Sequence, residues 1–226
     1  MKPAAFIFAL LFPILLAAQS LVFNTYTPAD GLADARVQKI YQDKRGVLYF
    51  LTRDGFSTFD GQRFRNYIQY GNQSLSVVSD ILEETDGRIT IVSISGIYFL
   101  KNNRLEKDTA YYKSSVEPGS IFATQSGEKI ITANSGVTLY SGSKATPLKL
   151  SLPNGSSQPL MVDKALLYGD YLLAFNLNLN TNQQHLLLYN WKTQKLSDEI
   201  VSEGNTDILK FNGQVYVLLG QNWAEL

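Results

Sequence analysis

Enzymatic chemistry needs bases, nucleophiles or metal ligands at workable spacing, and this chain is sparing with all three. It has one histidine, His185, and no cysteine, so a zinc or iron site built on His/Cys spacing is ruled out. His185 opens the apolar run His185-Leu186-Leu187-Leu188-Tyr189, the setting of a strand-edge or rim residue rather than a general base. Glu83-Glu84 and Asp54 with Asp60 are the carboxylate pairs. Each lies in or beside a turn, where an acidic side chain caps backbone N–H groups instead of flanking a scissile bond. Gly-x-Ser-x-Gly and a phosphate-binding glycine loop followed by lysine are both absent from the sequence. A hydrolase, lyase or quinone dehydrogenase would need histidines, carboxylates or metal ligands gathered on one loop face. The expectation is therefore no catalytic residue, no metal and no cofactor. Lysine plus arginine (20) balances aspartate plus glutamate (20) with no basic run, which gives no reason to expect nucleic acid. Asn72-Gln73-Ser74 and Asn154-Gly155-Ser156 match the glycosylation pattern and read as loops.

The elements that must position any site are short strands. From Val37 to Gly61, three β-rich runs each end in a turn signal: Asp43-Lys44-Arg45-Gly46, Arg53-Asp54-Gly55 and Asp60-Gly61. Glycine supplies the positive φ that such hairpins need. Arg63 to Tyr67 adds a fourth strand, giving a four-stranded antiparallel meander of roughly forty residues, the unit of a β-propeller blade. The unit repeats. Gly46 and Gly55 are nine apart, as are Gly87 and Gly96 and then Gly127 and Gly136, the copies being offset by 41 and 40 residues. Val37-x-x-Ile40 recurs as Val78-x-x-Ile81. The reading is an all-β propeller with blades near 35–67, 76–106, 119–152 and 163–201, and a partial one at 206–226. That amounts to about four and a half blades, an incomplete ring. Residues 20–226 are then the front part of a longer propeller.

Residues 1–19 read as a secretory signal: Lys2, an apolar centre from Ala4 to Leu16 broken by Pro13, and Ala17-Ala18-Gln19-Ser20 at the cleavage region. Export without cysteine fits the periplasm or cell surface of a bacterium. Phe23-x-x-Tyr26 matches Phe64-x-x-Tyr67, again 41 apart. It is expected to form an orphan fourth strand that joins the last blade and closes the ring.

In an up-and-down meander, the loops after strands two and four emerge on one side, and propeller ligands usually sit there. The expected ligand contacts are Arg53 and Asp54, Ser95, Asn134, and a long insertion from Asn176 to Gln184 carrying Asn178, Asn180, Asn182 and Gln184. Amide side chains both donate and accept, which suits sugar hydroxyls.

The first blade resembles the repeat of the two-component regulator propellers. The matching residues are Phe23, Tyr26, Asp30-Gly31-Leu32, Val37, Ile40, Asp43, Gly46, Tyr49-Phe50, Thr52, Gly55, Phe59, Asp60 and Gly61. Tyr49 stands where tryptophan is usual and Leu51 where a small residue is usual; both are apolar replacements that a core can absorb. Proteins of that family combine a signal peptide, periplasmic propellers, a small β-sandwich, a membrane helix and a kinase or DNA-binding output, and many sense glycans. The resemblance implies a non-catalytic sensory ectodomain with a carbohydrate ligand and a transmitter downstream in the same polypeptide; a homodimer is a further partner to look for. No kinase motif occurs in these residues. The competing expectation is a propeller accessory of a cell-surface secretion or envelope system, binding protein or glycolipid.

Overall fold

The computed structural model describes residues 24–109, 118–133, 136–142, 144–150, 162, 164–178, 183–202, 204 and 206–225. After a 3-10 turn at Pro28–Asp30, the first sheet is β1 (Val37–Gln42), β2 (Leu48–Thr52), β3 (Gly55–Phe59) and β4 (Phe64–Tyr67), paired in that order. A two-stranded hairpin follows, β5 (Gln69–Tyr70) with β6 (Gln73–Ser74). The second sheet is β7 (Val78–Glu83), β8 (Ile89–Ser93), β9 (Gly96–Lys101) and β10 (Arg104–Lys107). The third is β11 (Pro118–Ala123), β12 (Lys129–Ala133), β13 (Gly136–Ser141) and β14 (Lys144–Leu148). The fourth is β15 (Lys164–Tyr168), β16 (Tyr171–Asn178), β17 (Gln183–Asn190) and β18 (Lys195–Ser202). The fifth holds β19 (Thr206–Phe211), β20 (Gln214–Leu219) and β21 (Asn222–Glu225). All are antiparallel meanders arranged as propeller blades, and the first strands of successive sheets touch one another: β1 with β7, β7 with β11, β11 with β15, β15 with β19.

The core consists of seams between blades, and the middle strands explain why. Ile89 and Ile91 of β8 pack toward blade one with Tyr49, Leu51 and Phe56, whereas Val92 joins Ile121, Ile131 and Tyr140 of blade three. On β16, Leu172 and Ala174 face blade three, and Leu173 and Phe175 face blade five beside Val215 and Val217. Side chains alternate faces along a strand, so a strand buried on both sides reads as a continuous apolar run. Tyr49 and Leu51, the two departures from the family pattern, are both buried in the first seam.

The repeat is visible in irregularities too. The pairing of β1 with β2 slips between Val37 and Lys39, that of β7 with β8 between Val78 and Asp80, and that of β11 with β12 between Pro118 and Ile121. A bulge in the same place in three blades re-aims the residue after it.

Three expectations change. The insertion from Asn176 to Gln184 is largely strand: Asn176 pairs with His185, Leu177 with Gln184 and Asn178 with Gln183, so only 179–182 connect β16 to β17. The polar-apolar alternation Asn176-Leu177-Asn178 is a strand pattern that the asparagine content disguised. The fifth blade has three paired strands, β21 running antiparallel to β20 through Leu219↔Asn222 to Tyr216↔Glu225, more than the half blade expected. As for the orphan strand, Phe23 lies outside the described residues and Asn24 to Thr27 carry no strand. Tyr26 lies against blade one, its ring 5.2 Å from Phe59 and 5.5 Å from Phe64. Among the described residues, no helix is long and apolar enough to cross a membrane.

Candidate ligand-binding faces

Two ends of the blades present loops, and they differ in chemistry. At one end lie the turns between second and third strands. Arg53 and Asp54 form the β2–β3 turn and are exposed, with Asp54 Oδ2 3.5 Å from Arg36. The carbonyl of Arg53 accepts the Val77 N–H at 2.6 Å, tying this turn to the entry of blade two. Next to it, Gly55 sits at φ +115°, where an added Cβ would come within 2.3 Å of the Tyr67 carbonyl oxygen. Ser95, in the β8–β9 turn, is committed internally: its hydroxyl lies 2.8 Å from Ser93 Oγ and accepts from the Tyr98 hydroxyl at 3.2 Å. Asn178 and Gln184 flank the β16–β17 connection, whereas Asn134, Asn180 and Asn182 lie outside the described residues. Of the described ones, Arg53, Asp54 and Ser95 thus lie in second-to-third turns of blades one and two, and Asn178 and Gln184 in the strands that flank the corresponding connection of blade four.

The other end carries the turns between first and second strands, and these are built to one plan. Asp43 is buried; its Oδ1 accepts the N–H groups of Arg45 and Val47 at 2.9 Å, and its Oδ2 takes the Arg45 guanidinium at 2.8 Å and the Tyr49 hydroxyl at 3.2 Å. Gly46 closes the loop by donating to the Asp43 carbonyl at 2.9 Å. Forty-one residues on, Gly87 donates to the Glu84 carbonyl, and then Gly127 to the Thr124 carbonyl. Burial opposes ionisation of Asp43, but the Arg45 contact and the Val47 N–H outweigh it and hold the carboxyl below its ordinary pKa. Burial and the neighbouring Asp43 charge push Tyr49 up to about 12. Glu84 binds Arg88 at 2.5 Å, Lys129 of blade three at 2.7 Å, and the Thr90 hydroxyl. Burial raises its pKa, and those three donors pull it below the usual carboxylate range.

Near the axis, the first strands are stitched by charge. Asp80 receives Lys39 from blade one on Oδ1 and the Ile121 N–H from blade three on Oδ2 at 2.9 Å. Lys164 and Asp207 repeat the device between blades four and five at 2.9 Å. In both cases the aspartate also accepts the N–H of the next residue, Ile81 or Ile208, at 2.8 Å.

Between blades one and two, at the end carrying the first-to-second turns, a groove of about 970 Å³ opens. It is walled by Arg45, Arg63 and Arg65 on one side and by Arg88, Lys101, Asn102 and Asn103 on the other. Sequence reasoning missed it because its cations come from separate turns and strands of two blades. The signals that could have found it are the alternation Arg63-x-Arg65 and the Asn102-Asn103 pair, both asparagines at positive φ.

Of the other sequence-flagged groups, His185 Nδ1 lies 2.5 Å from Glu199 Oε1 on the neighbouring strand. Glu83 accepts the Tyr41 hydroxyl at 2.9 Å and the Lys44 N–H at 3.2 Å, and Asp60 caps the N–H groups of Gln62 and Arg63. Among the described residues, no group of three His, Cys, Asp or Glu is placed to hold a metal ion.

No protein-family model matches the chain. A stretch of 56 residues, 25% of the chain, is 45% identical to a histidine kinase (P4) of Formosa agariphila and covers 4% of that protein. Among solved structures, the extracellular domain of a hybrid two-component system from B. thetaiotaomicron matches with a TM-score of 0.69 at 18% identity. That match covers 89% of this chain and 30% of the other. PorZ, a surface component of the type-IX secretion system of Porphyromonas gingivalis, matches with a TM-score of 0.61 at 14% identity, over 89% of this chain and 28% of the other. The chain thus spans less than a third of each of these two structures. The resemblance to the propellers of two-component systems, read first from residues 22 to 67, is present in fold as well as in sequence.

Proposed function

We propose that the chain is the leading part of an exported, non-catalytic sensory propeller, coupled to a transmitter in the same polypeptide and responding to an oligosaccharide. The observation that carries this reading is the 45% identity to a histidine kinase over 56 residues. The propeller fold shared with a two-component extracellular domain supports it. Radial blades suit the task because each touches only its neighbours, so a ligand bridging two blades can shift their relative tilt without unfolding either. On the second-to-third-turn face, Arg53, Asp54 and Gln184, with Asn134, Asn178, Asn180 and Asn182, are the proposed saccharide contacts. Ser95 has a supporting role, its hydroxyl being already engaged. The second reading, an accessory of a cell-surface secretion system, is favoured by the fold likeness to PorZ.

Deleting the gene and profiling transcripts on single polysaccharides separates the two. A sensor loses induction of a saccharide-responsive gene set while cell-surface proteins are exported normally. Loss of surface proteins with induction intact overturns the sensory reading in favour of the accessory one.

A further inference from the structure

The groove between blades one and two has a chemistry that the opposite face lacks. Arg63, just before β4, and Arg65, within it, both line the groove, with Thr58 of β3 paired to Arg65. Lys101 and the Asn102-Asn103 turn face them from blade two. Among the described residues, Arg63, Arg65 and Lys101 make no ion pair. Three carboxylates share the lining: Asp60 accepts two backbone N–H groups at 2.8 and 2.9 Å, Asp86 accepts the Arg88 N–H at 3.0 Å, and Glu106 stands on the blade-two wall. Arg88 is held by Glu84 on one side of its guanidinium and lies 4.4 Å above the Phe99 ring, while its Nε is buried with no hydrogen-bond partner among the described residues. Arg63, Arg65 and Lys101 therefore converge on one concave space, with Asn102, Asn103, Phe64 and Phe99 also in its lining.

We propose that this groove binds an acidic oligosaccharide through its carboxylate or sulfate groups. Guanidinium forks recognise planar or tetrahedral oxyanions by paired N–H···O bonds, and the amides of Asn102 and Asn103 meet hydroxyls. A space of about 970 Å³ holds several sugar residues. The proposal rests on the saccharide part of the sensory reading and places a site on the face opposite the second-to-third turns. Both walls belong to different blades, so occupancy fixes their separation, which is the coordinate a propeller sensor would report.

Calorimetry on the purified chain tests it with four probes: a uronate oligomer, a sulfated oligomer, a neutral oligomer of equal length and inorganic sulfate. An acidic oligomer binds, the neutral one does not, and the preference between uronate and sulfate names the source of the oxyanion. Inorganic sulfate competes with the bound oligomer. Affinity falls as salt rises from about 0.01 to about 0.15 M. The double variant Arg63→Gln, Arg65→Gln binds roughly tenfold or more weakly, since each charge-assisted bond carries on the order of a decade in Kd. Lys101→Gln weakens binding less, and Lys195→Gln on blade four leaves it unchanged. Melting of all these variants matches the parent, because the substituted side chains are exposed. Equal binding of neutral and acidic oligomers, equal affinity of the double variant, failure of sulfate to compete or failure of every acidic oligomer to bind overturns the proposal. The gene-deletion result is independent of these outcomes, so an uncharged ligand would end the groove assignment and leave the sensory reading standing.

Discussion

Blades one to three and blades four and five reach the same radial packing by different local chemistry. In the first group, each first-to-second turn is a loop closed onto Asp43, Glu84 or Thr124 with a glycine at φ +87°, +78° or +83°. In the second group, the turns are tight, Gly169-Asp170 and Asn212-Gly213. The seams differ as well. Blades one and two share polar ties, Lys39 to Asp80, Tyr41 to Glu83 and the Lys44 N–H to Glu83, over an aromatic core. Blades four and five meet mainly through Leu173, Phe175, Leu186, Val215 and Val217, with one exposed ion pair. The contrast teaches that apolar alternation sets the blade, while turn chemistry sets how rigidly one blade is registered on the next.

The largest test of that contrast is at the second-to-third turns. Gly55→Ala places a Cβ within 2.3 Å of the Tyr67 carbonyl oxygen and 2.9 Å of the Ile68 Cα at a φ that only glycine adopts readily. We expect a loss of about 4 kcal/mol, because backbone must move on both sides. Gly220→Ala, in the equivalent turn of blade five, has φ +66° and open space, so the expected loss is about 1 kcal/mol. Urea unfolding of both variants measures the difference, and equal losses would mean that the two turns are held alike.

Next in size are the axial stitches. Asp80 has a side chain 6% exposed and serves blades one, two and three, whereas Asp207 is 42% exposed. Asp80→Ala strands Lys39 and leaves the buried Ile121 N–H unpaired, for an expected cost of about 3 kcal/mol. Asp207→Ala removes a solvent-screened pair and costs about 0.5 kcal/mol. Comparable destabilisation in the two variants would show that the seams are equally dependent on charge.

Much of this was legible in the sequence, and the parts that were not share a cause. The spaced glycines located the turns of blades one to three, because positive φ leaves a mark on residue type. The middle strands of blades one and two were legible because both of their faces are buried. The Asn176 to Asn178 segment misled because composition outweighed its period-two pattern. Lys39 and Asp80 lie at the same position of the 41-residue repeat and were open to recognition as an inter-blade pair. The groove was legible only in part: Arg63-x-Arg65 and Asn102-Asn103 stand out singly, but their meeting with Lys101 comes from the packing of two blades.

The smallest expected effects concern the turn acceptors and acid. Asp43→Ala removes the partner of two N–H groups, a guanidinium and the Tyr49 hydroxyl, for about 2 kcal/mol, whereas Thr124→Ala in the third blade removes one side-chain acceptor of the Glu128 N–H, for about 1 kcal/mol. Both Asp43 and Glu84 have folded-state pKa values below their ordinary ones. Unfolding therefore takes up protons as pH drops, so their contribution is complete above the ordinary carboxylate range and is lost as pH falls through the depressed folded values. Between about pH 5 and pH 3 the melting temperature should fall by a few degrees, on the scale of 2–4 °C per kcal/mol for a domain of about this size. Asp43→Asn should flatten that acid slope while lowering stability at neutral pH. If its slope matches the parent's, the acid sensitivity resides in carboxylates outside the glycine-closed turns, and the rigidity assigned to blades one to three does not come from their turn acceptors.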